Sequence, residues 1–338
     1  MTPVTLGGQE DPANATERPQ SHRTVPALVV ARAPAHRRSH TWPCPAGLPL
    51  HALSSDRAGL LAPRIQPPAR RRARPTRTDP SSAVRLDQYY TRPGFAARCY
   101  RIVCSLYDTA DFLMVEPSAG KGVFARMLPS GSLAYDLEPK HPLVQQGDFF
   151  EAAIPHDRHV MVIGNPPFGR GCRMAVRFFN HAARSANVIA MILPRTFRKA
   201  SIENRLDRAF HLVLEEPAPR NAFEFQGMER DVPAVFQIWE RRDVSRTLRA
   251  VETEHPDFRF VKPALADFAI RRIGVNAGRI GPVEGASESS HHFVRGDVEA
   301  VMRELDLAGA AANTAGIPSL AKSEIVALYR QHVERRAA

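Results

Sequence analysis

The chain has few cysteines and no long apolar run. Its 338 residues include four cysteines (Cys44, Cys99, Cys104 and Cys172), none in a C-x-x-C pair or at a metal-ligand spacing with the 13 histidines. This pattern excludes a disulfide framework and predicts free thiols, no metal centre and a cytoplasmic location. No apolar run approaches the ~18 residues that a membrane-spanning helix needs, so we expect no membrane partner.

Lysine is absent from residues 1–83, which instead hold 12 arginines, only five acidic residues and 13 of the 29 prolines. Without helical or strand periodicity, this stretch is predicted to be a disordered Pro/Arg-rich tail. The formal net charge of +11 favours an acidic partner, nucleic acid before membrane. Because the tail carries most of that excess, evidence for nucleic-acid binding in the globular part must come from local patches.

Three further interpretations of residues 1–83 stay open. The run from Ala69 to Arg77 could dock on phosphates, and an Arg-rich, acid-poor leader is also typical of an organellar transit peptide. No methionine lies between Met1 and Met114, so translation from a non-ATG codon near Val84 would omit most of the tail. N-terminal sequencing of the native protein would decide the last point.

Near the middle of the chain, a short apolar strand from Val160 ends at Gly164 and is followed by the tetrapeptide NPPF. Pro166 and Pro167 donate no backbone N–H, so the chain must leave the sheet there as a stiff turn. The turn displays the amide of Asn165, free carbonyls and the ring of Phe168. This set suits a planar amine, although a proline-rich loop with a buried Phe would look the same.

The chain lacks the dinucleotide pattern G-x-G-x-x-G and the phosphate-loop pattern. It has instead FLMVEPSAGKG, in which an apolar strand ends at Glu116 and a glycine-rich turn leads to a predicted helix, VFARML. Two further strands place Asp136 and Asp148 at their tips. An acid at the second tip can accept ribose hydroxyls; Asp148 could accept an adenine amino hydrogen while Phe149 covers the ring.

The remaining periodicity predicts a helix over 93–106 with Thr91 as N-cap, a helix over 172–183, strands near 187–193, 211–214 and 233–239, and an amphipathic basic stretch over 196–210. The alternation of strands and helices predicts an α/β fold with a seven-stranded, mostly parallel, doubly wound sheet. We assign residues 84–243 to this domain. Residues 244–338 form a small α+β extension that is basic where it is extended, at Arg271, Arg272 and Arg279.

The order QYYT, EPSAGKG, YDLEP, GDFF, GNPPF, PAVFQIW resembles the S-adenosylmethionine-dependent amino-methyltransferases, above all the N6-adenine DNA methyltransferases. The resemblance spans roughly 87–241 and implies a class I, Rossmann-like fold with an antiparallel last strand. One departure is Ser118, where many members have the first glycine of G-x-G. The resemblance implies S-adenosyl-L-methionine as cofactor, held by these residues: Tyr90, Thr91, Glu116, Pro117, Ser118, Ala119, Gly120, Asp136, Asp148 and Phe149.

The resemblance also implies that Asn165, Pro166, Pro167 and Phe168 form the catalytic pocket for a flipped-out target base. The expected function is methyl transfer to the N6 amine of adenine in DNA, with Arg271, Arg272 and Arg279 as nucleic-acid contacts. The alternatives are an RNA adenine or guanine amino-methyltransferase, a protein glutamine methyltransferase and a catalytically idle nucleic-acid-binding subunit. The 244–338 extension is a candidate target-recognition element.

Overall fold

The computed structural model describes residues 89–155 and 157–337, so the predictions for residues 1–83 lie outside the described part. The strands are β1 (Tyr90–Thr91), β2 (Leu113–Glu116), β3 (Leu133–Asp136), β4 (Gln145–Gln146), β5 (Val160–Gly164), β6 (Val188–Pro194), β7 (Phe210–Pro217), β8 (Phe223–Phe225), β9 (Met228–Arg230), β10 (Ala234–Arg241), β11 (Arg259–Val261), β12 (Phe268–Arg271), β13 (Ile280–Gly281) and β14 (His291–Arg295). The α-helices are α1 (Pro93–Leu106), α2 (Arg173–Ala182), α3 (Ala200–Glu203), α4 (Glu299–Glu304), α5 (Leu307–Ala311) and α6 (Lys322–Ala337).

A seven-stranded sheet in the order β4-β3-β2-β5-β6-β10-β7 is the centre of the fold. The pairs from β4 to β6 are parallel, whereas β10 lies antiparallel between β6 and β7. The central strands β5 and β6 are buried along their whole length, which explains their uninterrupted apolar sequences. The predicted fold class, with an antiparallel last strand, is therefore confirmed.

Helices cover both faces of this sheet. On one face, Phe95, Cys99 and Val103 of α1 pack with alternate residues of the central strands. On the other face, Val176 and Phe179 of α2 pack against the intervening residues of the same strands. The strand residues divide between the two faces in this way because successive residues of a strand point to opposite faces of the sheet. The two apolar layers hold the carboxyl ends of β2, β3 and β5 in a fixed relation.

The structure corrects two local predictions. The N-cap of α1 is Arg92 rather than Thr91, because Thr91 still belongs to β1 and Pro93 already occupies the first helical turn. The predicted helix VFARML is a series of turns, in which the Arg126 N–H donates four residues back to Gly122 at 3.2 Å but the Met127 N–H donates only three residues back, to Phe124 at 2.7 Å.

The amphipathic basic stretch 196–210 contains two short helical segments. A 3₁₀ turn over Arg195–Arg198 ends at Lys199, whose backbone is extended, and α3 then lasts only four residues. The Nζ atom of Lys199 lies 2.8 Å from both the Ser319 carbonyl oxygen and Oε2 of Glu324. These contacts with a distant part of the chain are invisible to local periodicity.

A second, three-stranded sheet consists of β1, β8 and β9, all antiparallel. Its strands β8 and β9 lie between the strands predicted near 211–214 and 233–239, where no strand was predicted. The hairpin turn at Gln226 (φ +51°) and Gly227 (φ +79°) has the two left-handed residues of a tight hairpin. Tyr89, next to β1, stacks on Phe225 of β8 with ring centroids 4.8 Å apart. This sheet lies beside the carboxyl ends of the main sheet.

The C-terminal part contains a four-stranded antiparallel sheet in the order β11-β14-β12-β13 and the helices α4 to α6. The expected mixture of helices and strands is present here. These elements share a separate apolar core that includes Phe268, Met302 and Ile325. The division of the chain into 84–243 and 244–338 remains a prediction.

Among the described residues, no helix is long and apolar enough to cross a membrane. The same part of the chain contains no cluster of three or more His, Cys, Asp or Glu side chains suited to hold a metal ion.

Candidate active site

The carboxyl ends of β2, β3 and β5 and the segment after β4 surround a cavity of about 380 Å³. This volume lies within the roughly 300–1,000 Å³ typical of small-molecule sites. The topology explains the convergence, because parallel strands end at one edge of a sheet. All ten predicted cofactor-binding residues line this cavity, together with Asn165 and Pro167.

The glycine-rich turn is bound to the tip of β3. The Gly120 N–H donates to Oδ2 of Asp136 at 2.7 Å, and the Glu138 N–H donates to Oδ1 at 2.8 Å. A Cβ atom on Gly120 would lie 2.7 Å from Cε1 of Tyr90, so only glycine fits beneath this ring. Each carboxylate oxygen of Asp136 keeps a further lone pair, and the two oxygens together can accept two hydroxyl groups.

Glu116, at the tip of β2, is buried, and only 2% of its surface is exposed. Its Oε2 atom has no hydrogen-bond partner among the described residues. Burial raises the pKa of Glu116 to about 8, with a smaller contribution from the negative charge of Asp136, while a hydrogen bond from the backbone of Ala125 acts in the opposite direction. The carboxyl group is therefore mainly protonated near pH 7, and a positively charged ligand in the cavity would favour its ionised form.

Aromatic side chains form the end of the cavity near Asp148. The Oδ1 atom of Asp148 accepts the Phe150 N–H at 2.9 Å and caps the 3₁₀ turn Phe149–Glu151. Phe149 is buried and lies nearly parallel to Phe178, with centroids 5.7 Å apart. The guanidinium of Arg177 lies 4.6 Å from the ring centroid of Phe150. A flat, apolar ring system would find stacking surfaces here.

The Asn165 amide is held in one orientation. Its Nδ2 donates to the Tyr89 carbonyl oxygen at 3.0 Å, so Oδ1 is the amide atom left without a partner in the described part of the chain, and it is buried. The hydroxyl of Ser118 donates to the Asn165 carbonyl oxygen at 2.9 Å. Ser118, the departure from the usual glycine, thus joins the glycine-rich turn to the NPPF turn.

A second cavity of about 480 Å³ lies on the other side of the NPPF turn. Pro166 and Phe168 line this second cavity, whereas Pro167 lines the first. Tyr89, Asn165 and Gly169 line both. The predicted catalytic residues therefore lie at the junction of two cavities, with the Asn165 amide between them.

The three predicted nucleic-acid contacts lie apart from both cavities. Arg271 ends β12, Arg272 donates to the Ser289 carbonyl oxygen from Nε at 3.1 Å, and Arg279 is exposed just before β13. None of the three lines either cavity. Their role as nucleic-acid contacts stays a prediction.

Sequence reasoning missed several cavity residues. Met174, Arg177 and Phe178 come from α2, where helical spacing indicated only core. The pairing of Phe149 with Phe178 joins residues 29 positions apart, and no local pattern signals it. Tyr89, in contrast, precedes two residues of the QYYT motif that were predicted, so it could have been included.

No protein-family model matches the chain, and no curated protein matches it. Among the solved structures, 45 chains match. One, from Pyrococcus horikoshii and described as a candidate RNA methyltransferase, is 17% identical with a TM-score of 0.39, covering 47% of this chain and 88% of that chain.

Another, the 23S rRNA methyltransferase ErmE, is 14% identical with a TM-score of 0.33 and covers 70% of this chain and 97% of its own. A type I restriction-modification methyltransferase subunit from Streptococcus thermophilus is 15% identical with a TM-score of 0.32, covering 46% of this chain and 45% of that subunit. At these identities and TM-scores, the similarities do not establish the reaction or the acceptor of this chain.

Proposed function

We propose that the chain transfers a methyl group from S-adenosyl-L-methionine to the exocyclic N6 amine of adenine in DNA. One observation carries the proposal. Oδ1 of Asn165 is a buried acceptor without a partner among the described residues, at the junction of two cavities. Buried polar atoms are normally satisfied, so an orphaned acceptor between two cavities is suited to an N–H group of a bound ligand.

The residues of the first cavity fit this cofactor. Three of the five buried, unpartnered side-chain atoms found in the described residues line it: Thr91 Oγ1, Glu116 Oε2 and Asn165 Oδ1. Asp136 would accept the ribose hydroxyls and Asp148 the adenine amino group, while Glu116 suits the cationic methionine end. When bound, the cofactor supplies an electrophilic methyl group on a positively charged sulfur.

Asn165 would prepare the acceptor amine. The lone pair of an exocyclic amine is delocalised into its ring, which makes the nitrogen a poor nucleophile. If Oδ1 of Asn165 and the Pro166 carbonyl each accept one N–H, the nitrogen is pulled out of conjugation and its developing positive charge is stabilised. Phe168, which lines the second cavity, would stack on the base and offset part of the few kcal/mol that base flipping costs.

RNA is the second candidate acceptor, because NPPF also suits adenine or guanine amines in RNA.

We further propose residues 84–243 as the catalytic domain and 244–338 as a target-recognition element. Support for the latter comes from Ala315, which lines the second cavity although it lies in the C-terminal part. A protein glutamine methyltransferase and an idle binding subunit remain further outcomes of the test.

The test is radiolabelled methyl transfer onto DNA, RNA and protein, followed by nucleoside analysis by mass spectrometry. We expect N6-methyladenine in DNA; label confined to RNA or protein would overturn the main proposal. Asn165→Ala should lower the rate by about 10²–10³ while S-adenosylmethionine binding, measured by calorimetry, is retained.

Asn165→Asp is the matched control. It keeps an acceptor oxygen of the same size but turns a second oxygen towards the Tyr89 carbonyl, where Nδ2 donates in the wild type. We therefore expect a rate between those of wild type and Asn165→Ala. Loss of cofactor binding in Asn165→Ala would contradict the assigned role.

A further inference from the structure

Two arginines at the second cavity have no partner in the part of the chain that the structure describes. Arg170 and Arg230 both line the cavity, and both are exposed. Within residues 89–155 and 157–337, neither guanidinium forms an ion pair, a hydrogen bond or a cation–π contact. Nearby cations differ: Arg92 pairs with Glu229 at 2.6 Å and Lys121 with Glu224 at 2.6 Å. Two positive charges are thus exposed beside the NPPF turn.

The carboxylate among the cavity-lining residues does not neutralise these charges. Asp231 lines the cavity, but its Oδ1 accepts the Asn221 N–H, and within the described residues it forms no ion pair with the adjacent Arg230. The remaining lining residues that the structure describes are uncharged. The cavity therefore presents a net positive rim to a ligand.

The two arginines come from separate parts of the chain. Arg170 follows Gly169 (φ +66°) directly after NPPF and begins the 3₁₀ turn Arg170–Cys172. Arg230 ends β9, where its backbone pairs with Phe223 of β8. Both arginines therefore extend from defined backbone positions at the cavity that Asn165 also lines.

We propose that Arg170 and Arg230 bind the phosphates on either side of the target nucleotide. A guanidinium suits this ligand because it presents a planar fork of donors to two phosphate oxygens and is always charged. This inference rests on the proposed function in that it takes the acceptor to be a nucleic acid. It excludes a free nucleoside or a small amine as the preferred acceptor, since these lack phosphodiesters.

The experiment measures binding without catalysis. The full chain carrying Asn165→Ala is titrated with a mixed-sequence DNA duplex and with single-stranded RNA of the same sequence, and the dissociation constant is recorded by fluorescence anisotropy across a series of salt concentrations. Arg170→Gln, Arg230→Gln and the double variant are compared with Arg101→Gln. Arg101 is the matched control, an exposed arginine on α1 that is unpaired among the described residues and lines neither cavity.

Each phosphate contact releases condensed counterions, so its loss changes the salt slope as well as the affinity. We expect the slope of log K against log salt to fall in magnitude by about 0.9 per arginine for duplex DNA, or about 0.7 for a single strand. Arg101→Gln should leave the slope unchanged. The natural acceptor is the polymer whose slope changes by its own expected value, about 0.9 per arginine for the duplex or about 0.7 for the single strand.

The outcomes separate the two proposals. Unchanged slopes in the double variant, or an equal change in Arg101→Gln, overturn the phosphate contacts even where the wild type methylates DNA. If the wild type methylates no nucleic acid but the double variant still loses the salt dependence, the proposed reaction fails while the phosphate contacts stand.

Discussion

Asn165 and Glu116 both bury an oxygen that has no hydrogen-bond partner among the described residues. The free-energy cost of this burial is limited in a different way for each side chain. The Asn165 amide is neutral, so its unpaired oxygen costs about 1–3 kcal/mol. An ionised carboxylate would cost far more, and Glu116 avoids this because burial raises its pKa to about 8. Both side chains line the first cavity, where a ligand can supply the missing partner. The destabilisation is local to this cavity.

The shifted pKa of Glu116 predicts a dependence of stability on pH. In the folded chain the carboxyl group holds its proton up to about pH 8, whereas the unfolded chain loses it near the ordinary glutamate pKa of 4.5. The folded state thus binds more protons in this interval, and the unfolding free energy falls as pH rises through it. The contribution of Glu116 is fully present below pH 4.5 and absent above pH 8.

Glu116→Gln should remove this contribution, because the amide does not titrate. We expect the variant to gain stability relative to wild type by a few kcal/mol between about pH 5 and about pH 8, measured by urea denaturation at both values. The difference between the two proteins isolates Glu116 from other titrating groups. An unchanged difference between the two pH values would show that the carboxyl group is ionised throughout.

At the scale of elements, the turn after β2 shows what sequence could and could not predict. The acids at the strand tips were predictable, since parallel strands end at one edge and short apolar runs mark where each ends. The series of turns after Gly122 was not: VFARML has a helical composition, but the Met127 N–H donates three residues back to Phe124 instead of continuing a regular helix. The close approach of the Tyr90 ring to Gly120 joins residues 30 positions apart, which leaves no local signal in the sequence.

The hairpin β8–β9 was missed for a related reason. Each strand has three residues, too few for an alternating pattern to stand out, and the turn is Gln-Gly rather than Asn-Gly. Its partner β1 is far away in the sequence, since Tyr90 pairs with Glu224. The arginine at the end of β9 was therefore not recognised as a cavity residue, whereas the NPPF motif was.

Gly120→Ala tests the turn. The new Cβ would lie 2.7 Å from the Tyr90 ring on a residue with φ +48°, so both the ring and the Gly120–Asp136 hydrogen bond must shift. We expect a loss of about 1–3 kcal/mol in unfolding free energy, and a weaker affinity for S-adenosylmethionine measured by calorimetry.

Gly131→Ala is the control for backbone strain. Gly131 also has a left-handed backbone (φ +83°), but among the described residues no atom other than those of Gly131 and its two chain neighbours lies within 4 Å of the position that a Cβ atom would take. This variant should lose about 1–2 kcal/mol and keep its cofactor affinity. Equal cofactor affinity in the two variants would mean that the contact between Gly120 and Tyr90 does not shape the cleft.

At the scale of the whole molecule, the loop before α6 connects the C-terminal part to the second cavity. Nη1 of Arg198 donates to Oδ1 of Asn313 at 3.2 Å, and Nζ of Lys199 donates to the Ser319 carbonyl oxygen at 2.8 Å. The Lys199–Glu324 pair is mostly buried, with side chains 11% and 17% exposed. Such a pair resists separation more than a surface pair does, because breaking it leaves a buried charge. These contacts fix both ends of the loop that carries Ala315.

Ala315→Trp tests whether this loop contributes to the acceptor site. Ala315 is exposed and lines the second cavity, so a large side chain there should obstruct the acceptor without disturbing the core. We expect KM for the nucleic acid to rise on the order of tenfold, while the affinity for S-adenosylmethionine and the melting temperature stay unchanged. Val275→Trp is the control, since Val275 is 94% exposed and lines neither cavity. Equal KM values for the two tryptophan variants and wild type would remove residues 313–319 from the acceptor site, whereas a rise in Ala315→Trp alone ties target selection to the C-terminal part.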